Sequence, residues 1–243
     1  MHESGSYMVF AVIVAGGVGS RMGNAGIPKQ FMELCGKPII IHTIERFLHS
    51  ERIDKIYIGV HPEWIDYLHT LLQEHFGSTD IAVAVQGGAD RNATVFNVLD
   101  KIESDYGVSD DHIVLTHDAV RPFITQKIID ENIDAAFKYG AAAVAYNSID
   151  TIVVSDDNEF ITSVPERRKM YNVQTPQTFK INLLRNLFES LSEDEKKTLT
   201  DACRICTVRN QPVYIVEGDI SNIKITTPTD FKFAEAIAEN FTE

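Results

Sequence analysis

Glycines and cations between residues 9 and 30 are the part of the sequence best suited to chemistry on phosphates. A β-branched apolar run at 9–14 leads into a glycine-rich turn at 16–19, and Arg21 and Lys29 follow. The run predicts a strand buried on both faces. Backbone N–H groups of a glycine turn can approach an anion closely, and the two cations would neutralise its charge. This order predicts a site for the phosphates of a nucleoside triphosphate.

The glycine turn departs from the two common nucleotide-binding patterns. The stretch Gly17-Val18-Gly19-Ser20-Arg21-Met22 lacks the third glycine of the dinucleotide fingerprint, and no Gly-Lys-Ser/Thr follows as in a P-loop. Three alternatives stay open: an NAD(P)-dependent oxidoreductase on a Rossmann sheet, a non-catalytic nucleotide sensor, and a turn that only joins a strand to a helix. The closeness of Arg21 and Lys29 favours phosphate binding over the last of these.

Two later strand ends carry residues of the same kind. A second glycine loop at 87–94 follows the predicted strand 81–85, and the stretch 117–122 (His-Asp-Ala-Val-Arg-Pro) follows the predicted strand 113–116. Parallel α/β sheets bind their ligands at the carboxyl ends of the strands. The three clusters should therefore build one pocket.

Asp118 is the carboxylate of the predicted pocket. It could hold a metal ion or orient Arg121, and the structural alternative is a helix N-cap or a local ion pair. His117 is expected to serve in packing rather than as a ligand.

Alternating strands and helices must position these clusters. The apolar pattern predicts strands at 9–14, 54–60, 81–85, 113–116, 141–145 and 213–216, and helices at 37–48, 62–76, 93–104, 124–139, 181–191 and 231–240. Segments 150–154 and 160–164 flank a polar turn and predict a hairpin. The stretch 171–179 is interpreted as a connection back to the core. Thr229 or Asp230 should cap the final helix.

Two further cationic positions lie far along the chain. Residues 165–169 (Pro-Glu-Arg-Arg-Lys) form the densest basic cluster, for which a solvated face is the plain alternative. Lys224 lies between two isoleucines in a predicted extended segment, 222–228. A lysine in such a run is unusual unless it faces a ligand.

Composition and charge restrict the class of partner. The chain has 243 residues, 44% hydrophobic and 23% charged, with a formal net charge of −13, as suits a globular α/β domain. That charge argues against nucleic-acid binding. No apolar stretch approaches the ~20 residues of a membrane span, so no membrane partner is expected. Residues 1–7 lack the pattern of a secretory signal.

The cysteines favour a cytoplasmic protein with reduced thiols. They are Cys35, Cys203 and Cys206, an odd number without a secretory signal. Cys203 and Cys206 form a C-x-x-C, but a zinc site would need a second ligand pair. We expect both to be small apolar residues on a helix.

Five motifs in order resemble one enzyme family. They are Ala15 to Met22, Pro28-Lys29-Gln30, His117 to Pro122, Thr175-Pro176-Gln177 and Asn222 to Thr226. Together they resemble the polyol-phosphate cytidylyltransferases, which include the 2-C-methyl-D-erythritol 4-phosphate enzyme of isoprenoid synthesis and the ribitol-5-phosphate enzyme of teichoic acid synthesis. The match runs from about Val9 to the final helix.

The resemblance implies an architecture and partners. It implies one cytidylyltransferase domain over residues 8–243, an α/β fold with a three-layer, mostly parallel sheet of the glycosyltransferase-A-like nucleotidyltransferase type. It also implies a homodimer with a protruding β-hairpin arm at about 147–173. CTP and a polyol phosphate would be the substrates and Mg2+ the cofactor. A pathway reductase that supplies the polyol phosphate is a further expected partner.

Residue roles follow from the resemblance by matching motifs. It implies that CTP is held by Ala15, Gly16, Gly17, Gly88, Ala89, Asp90, Arg91 and Thr94. It implies catalytic roles for Arg21, Lys29, Arg167 and Lys224. The polyol phosphate would contact Asp118, Arg121, Thr151, Arg167, Asp201 and Lys224, and Asp118 is also the candidate Mg2+ ligand.

The acceptor is less constrained than the donor. Residues 200–206 (Thr-Asp-Ala-Cys-Arg-Ile-Cys) and 171–174 (Tyr-Asn-Val-Gln) resemble the ribitol branch, whereas Ala119 resembles the methylerythritol branch. On balance the sequence favours D-ribitol 5-phosphate, with 2-C-methyl-D-erythritol 4-phosphate as the alternative.

Overall fold

In a computed structural model of the protein, residues 7–17 and 26–241 are described. Gly19 and Arg21 lie outside the described residues. The strands are β1 (Val9–Ala15), β2 (Glu33–Leu34), β3 (Lys37–Pro38), β4 (Lys55–Val60), β5 (Val83–Gln86), β6 (Ile113–Asp118), β7 (Ala141–Asn147), β8 (Tyr171–Lys180) and β9 (Tyr214–Glu217). The helices are α1 (Ile39–Leu48), α2 (Ile65–Phe76), α3 (Arg91–Tyr106), α4 (Gln126–Tyr139), α5 (Ile181–Glu189), α6 (Glu193–Lys197), α7 (Ala202–Val208) and α8 (Pro228–Ala238).

The strand predicted before the first glycine turn lies inside the sheet. Over the described residues, seven strands pair in the order β5-β4-β1-β6-β8-β7-β9. β1 is parallel to both β4 and β6, β4 to β5, and β7 to β9, whereas β8 is antiparallel to both neighbours. The predicted mostly parallel α/β sheet is therefore confirmed.

Helices cover both faces of the sheet, and this explains the unbroken apolar run of β1. Ala11 and Ile13 belong to the core shared with α1, α2 and α4, whereas Phe10 and Val12 belong to the core shared with α3, α5 and α7. A smaller apolar cluster joins α8 to the segment around β2. The predicted three layers are confirmed.

The interpretation of residues 171–179 as a connection is wrong, because they form most of β8. The polar side chains and Pro176 of this stretch are not typical of a buried strand, so the sequence pattern did not indicate one. The pairing of β7 with β8 steps from Ala143–Gln177 to Ala145–Val173, so Pro176 lies where the ladder is broken and no N–H is needed. The polar stretch is bonded to its neighbour β6, where Thr116 Oγ1 donates to the Gln177 carbonyl at 3.0 Å.

The predicted hairpin at 150–154 and 160–164 forms only one isolated bridge, between Val154 and Ser163. The segment is nevertheless anchored at its base, where Ser148 N donates to the Met170 carbonyl at 2.8 Å. Too few ladder bonds form for two regular strands, and apolar side chains such as Phe160 (70% exposed) face solvent.

Five of the six predicted helix starts differ from the structure. α1 begins at Ile39, α2 at Ile65 and α4 at Gln126, two or three residues after the predicted starts. α3 begins at Arg91 rather than Ala93, because the Asp90 side chain caps it by accepting from Ala93 N at 2.8 Å. α8 begins at Pro228, and its cap is Thr227, not Thr229 or Asp230. Of the segment 222–228, which was predicted to be extended, residues 222–227 form no regular strand and residue 228 opens the helix. Among the helices in the described ranges, none is long and apolar enough to cross a membrane.

Candidate active site

A cavity of about 560 Å³ lies at the carboxyl ends of β1, β5 and β6. The three predicted clusters therefore meet, as the parallel topology requires. Its lining includes Ala15, Gly16, Gly17, Lys29, Gln30, His61, Gly88, Ala89, Asp90, Arg91, Thr94, Asp118 and Lys224.

The first glycine turn is held in place by a residue that the sequence analysis missed. Gln30 is buried, and its Nε2 donates to the carbonyls of Ala15 at 2.7 Å and Gly17 at 3.0 Å. Lys29 lies beside Gln30 in a short 3-10 helix, Lys29–Phe31. The glutamine therefore ties the turn to the lysine. Its place in the Pro-Lys-Gln motif was the only available signal.

The second glycine loop leads into the N-terminus of α3. Thr94 Oγ1 accepts from Gly88 N at 3.0 Å and donates to the Asp90 carbonyl at 2.8 Å. A Cβ added at Gly88 would lie 2.5 Å from Ala93 Cβ and 2.7 Å from Ala93 C, so only glycine fits. The N-terminus of a helix favours anions, and this 16-residue helix opens at the cavity.

Asp118 joins three cations at the end of β6. Its Oδ1 lies 3.2 Å from Arg91 Nε, and its Oδ2 lies 2.8 Å from Lys224 Nζ and 3.6 Å from Arg121 Nε. Burial would raise the pKa of the Asp118 carboxyl, but the charges of Arg91, Lys224 and Arg121 outweigh it and hold that pKa well below its usual range. Asp118 is therefore an ionised counter-ion in the protein without substrate.

Arg91 still offers unused donors at the cavity. Its Nη1 and Nη2 are buried and have no hydrogen-bond partner among the described residues. A phosphate oxygen would satisfy them, because a guanidinium can donate two parallel bonds to an oxyanion.

His117 is a buried structural residue, as its neighbours show. Its Nε2 lies 2.9 Å from the Arg121 carbonyl and its Nδ1 lies 3.1 Å from Thr175 Oγ1, which also accepts from Asp118 N at 3.2 Å. Burial lowers the pKa of His117 to about 4, so the imidazole is neutral near pH 7. The packing interpretation agrees with this arrangement.

Asn222 connects the late motif to the sheet, and the sequence analysis gave it no role. Arg121 Nη1 donates to the Asn222 carbonyl at 2.7 Å, Asn222 Nδ2 donates to the Thr175 carbonyl at 2.9 Å, and Gln174 Nε2 donates to the Asn222 carbonyl at 3.1 Å. Asn222 has no exposed surface. These bonds hold the segment that contains Lys224 next to Asp118, although the two residues are distant in sequence.

Several predicted site residues do not line the cavity. Arg121 is buried behind Asp118 and bonded to Asn222. Arg167 and Thr151 are exposed on the arm, where Arg167 Nη1 donates to the Ile149 carbonyl at 3.3 Å. Asp201 caps α7.

Residues 200–206, one of the two stretches that favoured ribitol, are engaged in local structure. Asp201 Oδ1 accepts from Arg204 N at 2.9 Å, and Oδ2 accepts from Gln177 Nε2 at 3.0 Å. Cys203 and Cys206 lie on α7 and pack in the core. Burial raises the pKa of Cys206 to about 12. The expectation of small apolar residues on a helix is confirmed, and neither thiol is a ready ligand.

The surroundings of Asp118 do not fit the predicted Mg2+ site. Mg2+ prefers several oxygen ligands in octahedral geometry, but both oxygens of Asp118 face cations. Over residues 7–17 and 26–241, no group of three or more His, Cys, Asp or Glu side chains is arranged to hold a metal. We therefore assign no metal-binding role to Asp118.

A mostly parallel sheet with two glycine loops and several cations at its carboxyl edge defines a nucleotidyltransferase. The family model described as 2-C-methyl-D-erythritol 4-phosphate cytidylyltransferase (IspD) matches residues 9–240, and the chain belongs to this family. It is a cytidylyltransferase and not an NAD(P)-dependent oxidoreductase.

Solved structures with the same fold carry the same activity name. A 4-diphosphocytidyl-2C-methyl-D-erythritol synthase from Anaerococcus prevotii is 27% identical, with a TM-score of 0.78 over 96% of each chain. The 2-C-methyl-D-erythritol 4-phosphate cytidylyltransferase from Thermus thermophilus is 27% identical, with a TM-score of 0.70 over 94% of this chain and 98% of that one. The corresponding Francisella tularensis enzyme is 25% identical, with a TM-score of 0.77 over 94% and 99%.

Replacing Gly88 by alanine should disrupt the second loop. Because the added Cβ meets the backbone of Ala93, we expect Gly88→Ala to lower the free energy of unfolding by about 1–3 kcal/mol. Urea denaturation measures the change. Gly17→Ala is the matched control, since its Cβ would have no described atom within 4 Å. Equal stability of the two variants would contradict this description of the loop.

Removing the charge of Asp118 should leave three cations without a counter-ion. We expect Asp118→Asn to lose about 3 kcal/mol of stability, and to gain more in melting temperature from added pyrophosphate than the wild type does. Asp134→Asn, in an exposed pair with Arg52, is the control and should cost less than about 1 kcal/mol. An equal or smaller pyrophosphate effect in Asp118→Asn would refute the counter-ion role.

Proposed function

We propose that the protein transfers CMP from CTP to 2-C-methyl-D-erythritol 4-phosphate, releasing pyrophosphate. The observation that carries the proposal is one cavity in which two glycine loops face Lys29, Arg91 and Lys224. Such a site suits two polyanionic substrates.

The reaction needs positioning and cations more than a proton acceptor. An oxygen of the acceptor phosphate attacks the α-phosphorus of CTP, and the bond between the α-phosphorus and the oxygen leading to the β-phosphate breaks. A phosphate nucleophile is already ionised near neutral pH, so no general base is required. The barrier comes from bringing anions together and from charge on the α-phosphate and the leaving group.

Each cation of the cavity has a distinct place in this chemistry. We assign Lys29, beside the first glycine turn, to charge on the α-phosphate. Arg91, at the start of α3, has free Nη donors for phosphate oxygens of CTP. Lys224 is held on Asp118, from which it can turn to an incoming phosphate. Arg21 is outside the described residues, and its catalytic role stays a prediction.

The acceptor assignment departs from the preference for ribitol in the sequence. The family and the similar structures carry the methylerythritol name. Of the two stretches that favoured ribitol, residues 200–206 cap and pack α7 and residues 171–174 belong to β8. Neither stretch lines the cavity, so they say little about its ligand. D-ribitol 5-phosphate is therefore the comparison substrate in the test below.

A homodimer is part of the proposal and accounts for the arm. The arm has exposed apolar side chains, among them Ile149, Phe160, Ile161 and Val164. Exposed apolar patches of this kind mark surfaces that another protein covers. Arg167 does not line the cavity of its own chain. We propose that the arm of one protomer brings Arg167 and Thr151 to the acceptor site of its partner. A reductase partner and a requirement for Mg2+ stay predictions.

The acceptor is decided by direct comparison. Incubated with CTP, Mg2+ and either polyol phosphate, the wild type should release pyrophosphate with a kcat/KM at least about tenfold higher for 2-C-methyl-D-erythritol 4-phosphate, as one or two discriminating contacts provide. A preference for ribitol 5-phosphate would reverse the acceptor assignment while leaving CMP transfer intact.

Truncating Lys29 should impair chemistry more than binding. We expect Lys29→Ala to lower kcat about 100- to 1,000-fold, the range for losing one electrostatic group at a transition state. Lys127→Ala removes a lysine that is 77% exposed on α4 and should behave as wild type. A Lys29→Ala enzyme with normal pyrophosphate release would rule out the proposed site.

Mixing two inactive variants tests whether Arg167 acts across the dimer. If it does, heterodimers of Lys29→Ala and Arg167→Ala contain one intact site, and random re-association should restore about a quarter of wild-type activity. Light scattering should give about twice the chain mass of 27.2 kDa. No restoration in a dimer that exchanges subunits would place Arg167 in its own chain's site or outside the mechanism.

A further inference from the structure

His61 follows β4 at a point between the two glycine loops. β4 lies between β5 and β1 in the sheet, and its last residue, Val60, is paired with Ala15 on one side and with Gln86 on the other. The Val60 carbonyl also accepts from Gly87 N at 2.7 Å. His61 therefore lies at the carboxyl end of the strand that separates the two loops, and it lines the cavity.

Aromatic packing holds the turn of His61 against the segment that carries Lys29. His61 directly precedes a short 3-10 helix, Pro62–Trp64. The ring of Trp64 stacks on that of Phe31, with 5.3 Å between the ring centroids. Phe31 is buried and belongs to the same 3-10 helix as Lys29. The backbone position of His61 is thus set by packing before a ligand enters the cavity.

The two ring nitrogens of His61 have different surroundings. Nδ1 accepts from Glu63 N at 3.4 Å and so caps the 3-10 helix. A neutral imidazole whose Nδ1 accepts carries its proton on Nε2, and a charged imidazole carries a proton there as well. Because 39% of the side chain is exposed, a ligand in the cavity can reach it. Nε2 is therefore the N–H donor that His61 offers to such a ligand.

The charges of the cavity indicate which part of CTP reaches His61. Arg91 and Lys224 are gathered on Asp118 at the end of β6, where they attract phosphates. β1 separates β6 from β4, a distance of about 10 Å at the usual spacing of neighbouring strands. A nucleotide whose phosphates lie near these cations extends its ribose and base over such a distance. The uncharged nucleoside therefore faces the end of β4.

We propose that His61 is a substrate-binding residue that donates from Nε2 to the nucleoside of CTP. A ribose hydroxyl or an acceptor atom of the base satisfies this donor. The inference rests on the proposed function, in which CTP is the donor substrate. A residue that only capped the 3-10 helix would use Nδ1 alone, and its Nε2 would make no contribution to CTP binding.

Two substitutions separate the cap from the ligand contact. His61→Asn keeps an acceptor near the position of Nδ1 and removes the donor at Nε2, whereas His61→Gln places an amide donor near the position of Nε2. In isothermal titration calorimetry, we expect the Kd for CTP to rise about fivefold in His61→Asn, as for the loss of one uncharged hydrogen bond. It should stay within about twofold of wild type in His61→Gln. Wild-type affinity in His61→Asn, or equal weakening in both variants, would overturn the proposal.

Tripolyphosphate, which has no nucleoside, tests which part of CTP is contacted. Its Kd should stay within about twofold of wild type in His61→Asn, whereas Arg91→Ala should weaken tripolyphosphate and CTP alike. His75→Ala removes an exposed histidine at the end of α2 and should bind both ligands as the wild type does. A loss of tripolyphosphate binding in His61→Asn that equals its loss of CTP binding would overturn the nucleoside contact.

Binding measurements keep this inference separate from the proposed function. A wild type that binds CTP but transfers CMP to neither polyol phosphate would refute the proposed function. The Kd values of His61→Asn and His61→Gln would still decide the nucleoside contact. Absence of CTP binding in the wild type would overturn both.

Discussion

A buried negative charge must be neutralised, and Asp118 is the charge on which this site depends. Burying an isolated carboxylate inside a protein costs several kcal/mol of folding free energy, so a buried carboxylate needs cationic partners. Arg91 comes from the start of α3, Arg121 from the loop after β6, and Lys224 from a segment close to the last helix. One carboxylate therefore gathers cations from three parts of the chain. Two of these cations, Arg91 and Lys224, line the cavity, whereas Arg121 lies behind Asp118.

The sheet makes this gathering possible. Parallel strands place the ends of β1, β5 and β6 along one edge, and the antiparallel β8 brings Thr175 beside His117 and Asn222. The resulting hydrogen bonds are buried and leave the loops around Asp118 few alternative arrangements. The neutral His117 takes part only through hydrogen bonds, which is consistent with chemistry that needs no proton acceptor.

Apolar patterns and glycines in the sequence were enough to predict the strands that precede the three clusters and the edge of the sheet that they share. The strands before the first and third clusters could be found because both faces of each are buried, and β5, at the sheet edge, by its short apolar run. The shared edge followed from their parallel order. β8 could not be found, because Pro176 and its polar neighbours resemble a loop until the broken ladder is seen. The sequence analysis offered Arg121 as a partner of Asp118, and the two residues are paired. The pairing of Asp118 with Lys224 could not be predicted, since it depends on Asn222 and on tertiary contacts. The preference for ribitol 5-phosphate stays a prediction, and one of the two stretches behind it, residues 200–206, serves α7 rather than the cavity.

The central claim is that the phosphate of the acceptor attacks the α-phosphorus of CTP in this cavity. Phosphorus NMR can follow the reaction with 2-C-methyl-D-erythritol 4-phosphate whose non-bridging phosphate oxygens are ¹⁸O. The account predicts ¹⁸O in the bridge between the two phosphorus atoms of the product, and pyrophosphate without label. Labelled pyrophosphate, or a product bridge without label, would contradict it.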